Sequence, residues 1–143
     1  MKALILVVAM AALPAAQANG PAAGSWTAEL AGKTFVRLEL KTTNGAVAGG
    51  ISIGDIELDK QGAVKKAGES PHALTPIFDA AMRGPILTFA RKDGKDTDRF
   101  ELRVLDDGSA DLTFVLDDAS RKELAASGIA GFKPIHLVKH GSQ

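Results

Sequence analysis

The 143-residue chain contains no cysteine and no tyrosine, and it has one tryptophan. Without cysteine there is no disulfide, no thiolate metal site and no thiol nucleophile. A lipoprotein anchor, which needs a cysteine at its cleavage point, is excluded with them. Aromatic residues make up 5% of the chain, too few for the stacked platform on which sugars or bases lie. An excess of charge of either sign is also missing, because 17 Lys and Arg balance 17 Asp and Glu. Nucleic acid and anionic membrane surfaces recruit a basic patch, so neither is expected as a partner. The histidines, His72, His136 and His140, fall in no metal-ligand spacing. No metal or cofactor is expected.

What is present begins with an address. Lys2 precedes an apolar run from Ala3 to Ala12 that is too short to span a bilayer, and Ala16-Gln17-Ala18 has the small-x-small pattern of a cleavage point. The expectation is a signal peptide over 1–18, export to the bacterial periplasm or the medium, and no stable membrane anchor after cleavage. Removing 18 residues from 143 leaves 125, the size of one domain over 19–143. Taking Lys2 from the 17 basic groups leaves 16 against 17 acidic ones, a net charge of −1. Small exported domains commonly depend on disulfides. This one has to hold its core without them.

The remaining chain is dominated by period-two alternation. From Lys33 to Lys41, Val36, Leu38 and Leu40 share one face while Arg37, Glu39 and Lys41 share the other, as in a half-buried strand. Asn44-Gly45 follows and suits a two-residue hairpin turn. Similar patterns predict strands over Ser25–Ala31, Ala46–Ile53, Ile56–Asp59, Ala63–Lys66, Ile86–Arg91, Phe100–Val104, Ala110–Leu116 and Ile135–Lys139. Asp107-Gly108 predicts a further tight turn. Two segments read as helix. In Thr75 to Gly84, Thr75 would cap, Pro76 would take the first helical position and Gly84 would end it. Ser120-Arg121-Lys122-Glu123 matches a capping box, with the helix running to Ser127 and ending at Gly128. So many short strands need cover for their apolar faces and edges. The fold class expected is all-β, an antiparallel up-and-down β-barrel of about eight strands with one or two short helices. A β-sandwich is the alternative.

Gly24-Ser25-Trp26, opening the first strand, resembles the G-x-W signature of the lipocalin and calycin superfamily. Asp118 to Gly128 followed by Ile135 to Lys139 resembles the helix and closing strand of lipocalins. The resemblance implies a barrel whose Trp sits at the closed end beneath the core, and it implies a barrel more than a ligand. Gly32-Lys33-Thr34-Phe35-Val36 is also similar to the start of avidin-type barrels. In size, export and opening motif the chain is similar to small exported bacterial barrels that inhibit secreted proteases.

No residue set stands out as catalytic, so a non-enzymatic binding module is expected, its partner a small apolar ligand or another exported protein. The candidate cavity walls are the inward Trp26, Leu38, Phe89, Phe100 and Phe114. For Trp26 a core plug, with its indole N–H on a carbonyl, is the competing role. The 68–84 insertion offers the alternative of a protein-interaction or protease-inhibitor surface through His72, Phe78 and Arg83. Gly50-Ile51-Ser52-Ile53-Gly54 matches the G-x-S-x-G elbow of serine hydrolases. That chemistry needs a strand-to-helix turn, whereas another strand follows here, so Ser52 reads as an outward serine on a glycine-bounded strand. Asp93, Asp96 and Asp98, interleaved with Lys92, Lys95 and Arg99, depart from the calcium-loop pattern and read as a solvated hairpin tip.

Overall fold

Two short turns start the chain folding back on itself. Ala31-Gly32 and Asn44-Gly45 all take positive φ, with values of 53°, 79°, 53° and 82°, and this twist matches that of the strands they join. The first turn links β1 (Gly24–Leu30) to β2 (Lys33–Thr43), and the second links β2 to β3 (Ala46–Ile53). There follow β4 (Ile56–Leu58), β5 (Val64–Ala67), β6 (Thr75–Arg83), β7 (Ile86–Asp93), β8 (Asp96–Asp106), β9 (Ser109–Val115), helix α1 (Asp118–Ala126) and β10 (Ile135–His140). This computed structural model describes residues 21–106 and 108–140. The expected leader and its cleavage point at Ala18 lie outside the described residues, as does Asp107.

Eight strands close into an antiparallel barrel in the order β1-β10-β9-β8-β7-β6-β3-β2, and β4 and β5 pair only with each other. The fold is therefore the up-and-down barrel rather than the sandwich. Neighbours in space are neighbours in sequence, except at the β1–β10 closure and where the β4–β5 hairpin leaves the wall between β3 and β6. That seam is the thinnest, with pairs only at Gly50–Pro76 and Ile51–Thr75. Antiparallel order puts the Ala31-Gly32 turn, the β4–β5 hairpin, the Gly94-Lys95 turn and α1 at one end, called the mouth. The other end, the base, carries the Asn44-Gly45 and Gly84-Pro85 turns.

An eight-stranded barrel has room either for its own side chains or for one small ligand. Here the side chains take the room. Leu38, Ile51, Leu87, Phe100, Leu112 and Leu137, from six strands, have 0% of their surface accessible. A void large enough for water would expose the atoms around it, so none touches these residues. Phe89 and Phe100 stack at 5.2 Å, and Phe100 meets Phe114 at 4.8 Å. Phe35 joins this core through a bulge: the β1–β2 register passes from Ala28–Val36 to Glu29–Thr34 and skips it. At the base, fully buried Trp26 donates its indole N–H to the Ala22 carbonyl at 2.9 Å, with the Lys139 ammonium 5.4 Å from its ring centre.

Two expectations need correction. Thr75–Arg83 is a stave of the barrel, not a helix. Asp79 takes a φ of 54°, and the β6–β7 register shifts between Phe78 and Ala81. The bulge moves the inward set from Ile77 to Ala80 and Met82, and this spacing hides the alternation. The helix likewise starts earlier than its capping box implies: Asp117, not Ser120, is the N-cap and accepts the Ser120 amide at 2.8 Å. Its C-terminal end, Ser127 followed by Gly128 with φ of 81°, is as expected.

Phe100→Ala should lower unfolding stability by about 3–5 kcal/mol, because nothing nearby can collapse into a space that size. Urea denaturation would measure it. The Ser120 amide, then the Ser120 hydroxyl, hold the Asp117 carboxyl below its ordinary pKa. The carboxylate's contribution to the helix is therefore complete above the unfolded-state pKa and is lost as pH falls through the lower folded-state value. The Ser120 amide resonance should follow that titration, and Asp117→Asn should abolish it.

Candidate binding site at the barrel mouth

The β4–β5 hairpin lies across the mouth as a lid. Asp59 shapes its tip by accepting the amides of Gln61 and Ala63 at 2.9 and 3.0 Å. Beyond the tip, the Lys133 amide donates to the Gly62 carbonyl at 2.9 Å, clasping the hairpin to the strand-free segment after α1. Gly62 has a φ of 88°, and a Cβ there would lie 1.9 Å from the Gly131 carbonyl oxygen. Only glycine allows this clasp. Beneath it, Ile56, Val64 and Phe132 pack half-buried against the core, and Phe132 meets Phe114 at 4.4 Å.

At its other root the hairpin is fastened by a strap, residues 68–74, running along the outside of β3. Alternate outward positions of β3 and its end are Gly50, Ser52 and Gly54. A Cβ at Gly50 would meet that of Leu74 at 2.8 Å, and one at Gly54 would meet the Gly68 carbonyl oxygen at 2.2 Å. Ser52 is outward, as expected, yet 4% exposed, because it donates its hydroxyl proton to the Pro71 carbonyl at 2.5 Å. It sits within a strand and not on a strand-to-helix turn. Arg37 pairs with Glu69 at 2.9 Å over the strap. Underneath, Arg37 Nε and Ser70 Oγ are buried with no hydrogen-bond partner among the described residues.

Between lid and wall a cleft of about 510 Å³ opens at the mouth. Ile53 and Ile56 form one side, Phe114 and Phe132 the floor, and Arg91, Lys92, Asp93 and Asp98 the β7–β8 rim. Arg91 donates from Nε to Asp98 at 3.1 Å, and its guanidinium carbon stands 5.5 Å over the Phe100 ring. The accessible lining is more polar than apolar, with the half-buried rings of Phe114 and Phe132 as its aromatic part and Asp55, Arg91, Lys92, Asp93 and Asp98 around them.

Among the candidate cavity walls, Trp26, Leu38, Phe89 and Phe100 are sealed in the core at 0–1% exposure, and Phe114 is the one that borders this cleft. Trp26 acts as the plug of the base. The three candidate interaction residues do not converge. His72 is on the strap at the mouth and Arg83 is at the far end of β6, eight strand steps or roughly 26 Å from Thr75. Phe78 stands between them on the outer face, 37% exposed, opposite fully buried Ala90. His136 meets Asp111 at 3.2 Å, and His140 meets Thr27 at 2.6 Å, both on the outside of the wall. Among the described residues no three His, Asp or Glu side chains gather as a metal site. Asp106 accepts the Gly108 amide and the Ser109 hydroxyl, which hold its carboxyl below the ordinary value as part of a turn.

Sequence reasoning passed over Phe132 and Arg91. Phe132 lies in a strandless stretch between Gly128 and Pro134, where a lone aromatic residue was the available signal. Arg91 ends the strand predicted from sequence, which in the structure runs on to Asp93, and has no distinguishing neighbour. No family model, curated protein or solved structure matches the chain. The closed antiparallel barrel with its short helix is consistent with calycin-type barrels in general.

Gly62→Ala should part the clasp while leaving the wall intact. Hydrogen exchange should then accelerate at the amides of β4 and β5 by tenfold or more and stay unchanged in β7 to β9.

Proposed function

We propose that this protein is an exported, non-enzymatic binding module that takes a small, largely apolar ligand at the barrel mouth rather than inside the barrel. The observation that carries the reading is the contrast between a barrel centre whose Leu38, Ile51, Phe100 and Leu112 have no accessible surface and a cleft of about 510 Å³ bordered by Phe114 and Phe132. Apolar surface left beside a packed core is where a ligand gains most from leaving water. Export is supported by the Lys2, Ala3–Ala12 and Ala16-Gln17-Ala18 pattern, and places the module in the periplasm or outside the cell. The absence of catalysis is part of the proposal. It is supported by Ser52, whose hydroxyl proton is committed to a main-chain carbonyl.

A second reading, docking of another exported protein, is favoured by Phe78, a large apolar side chain left 37% exposed on the outer wall. The two readings use different faces, which makes them separable. Binding of the neutral dye N-phenyl-1-naphthylamine should weaken at least fivefold in Phe132→Ala and stay within twofold of the parent in Phe78→Ser. Fluorescence titration measures both. Loss of dye binding in Phe78→Ser alone would move the site from the mouth to the outer wall.

A further inference from the structure

We propose that the ligand of the mouth cleft is an amphipathic monoanion, an aryl or alkyl chain ending in one acidic group, and that Arg91 takes the acid. This deepens the mouth reading and rests on it. The Arg91 side chain is 16% exposed, held between Asp98 on its Nε edge and the Phe100 ring beneath. A guanidinium has five N–H donors. Asp98 uses the one on Nε, and among the described residues no acceptor meets Nη1 or Nη2. Both Nη groups keep access to water, so a ligand acceptor takes the place of solvent there. The space they border is the cleft itself.

A guanidinium fixed by a ring on one face and a carboxylate on one edge presents its outer edge already oriented, the geometry that a carboxylate engages with two parallel hydrogen bonds. Lys92, next along β7, is exposed at the cleft's edge on the opposite face of the strand from Arg91. Phe114 and Phe132 take the apolar body. Arg91 and Lys92 stand against Asp55, Asp93 and Asp98, two positive charges against three negative ones and a net charge of −1 on the lining, so a second negative group is repelled and the single acid has to be held by its directed contact with Arg91.

Two dyes with the same ring system separate the claims: 1-anilinonaphthalene-8-sulfonate, which is anionic, and N-phenyl-1-naphthylamine, which is neutral. In the full exported chain the anion should bind the tighter of the two. Arg91→Gln should weaken the anion about tenfold and leave the neutral dye within twofold. Arg91→Lys, which keeps the charge over Phe100 but lacks the fork, should fall between and serves if the Gln variant does not fold. Equal anion binding in parent, Gln and Lys variants, with the neutral dye still lost in Phe132→Ala, overturns recognition of the acid and leaves the mouth site standing. Failure of both dyes to bind the parent, or indifference of both to Phe132→Ala, overturns the mouth site and this proposal together.

Discussion

Closure of the wall is the constraint on which everything else depends. With no cross-link in the chain, β1 and β10 are held together by main-chain pairing at Ser25–His140, Trp26–Lys139 and Thr27–Val138. Three pairs do not hold a barrel. The side chains brought inward by that closure do, because burial of apolar surface is the largest favourable term and every strand contributes to one centre. This explains why the filling is so complete. A hollow interior would give up the contacts that replace a disulfide here, and cavities in a core are penalised in proportion to their size. Where related architectures can spend their centre on a ligand, this chain uses Phe89, Phe100 and Leu112 to stay folded.

The same argument moves recognition to the mouth. The aromatic series begun by Phe89 and Phe100 continues outward through Phe114 to Phe132, so the core runs without a break into the floor of the cleft. Its outer end cannot be covered by the wall, because the strands stop there. The lid covers part of it, and the lid is held by its tip hydrogen bond, by the strap at its root and by the packing of Ile56 and Val64, rather than by strand pairing with the barrel. An element fixed in this way can shift with little loss to the wall, as expected of segments beside binding sites. The thin β3–β6 seam has the same origin. Pro76 has no amide to donate there, and the chain that left the wall to make the lid has to re-enter at that point.

How much of this was legible follows from how locally each feature is determined. The β2 strand, the Asn44-Gly45 turn and the meander from β7 to β9 announce themselves, because their side chains alternate without interruption between turn residues. For Trp26 alternation gave the inward face and left plug and cavity wall as rival roles, its place at the closed end followed from the G-x-W resemblance, and the hydrogen bond to the Ala22 carbonyl makes it the plug. β6 was not legible. Its bulge at Asp79 displaces the apolar positions by one, and Thr75-Pro76 and Gly84 then resemble the two ends of a helix. The N-cap was misplaced because Ser120 and Glu123 satisfy a local pattern, while Asp117 reaches the Ser120 amide first. The cleft was illegible for a different reason. The β7 to β9 meander brings Arg91 near Phe114, but Phe132 joins them from the strand-free segment after α1, and no spacing along the chain encodes that approach.

The G-x-S-x-G stretch shows why a motif has to be judged by what its residue sizes accomplish. Chemistry would need Ser52 on a sharp turn with its proton directed at a base. Packing needs only that residues 50, 52 and 54 be small, since these positions point outward under the strap. The contacts decide between the two: a methyl group at Gly54 would overlap the Gly68 carbonyl, one at Gly50 would press on Leu74, and the hydroxyl of Ser52 is used to hold Pro71. Two glycines and a serine at alternate positions are therefore a track for main chain to lie against. The strap needs that track because it anchors the lid's inner root, through Gly68 on Asp55 and Ser70 on Thr34. The stretch that most resembled an active site thus acts on the candidate site from outside the wall, by fixing one end of its cover.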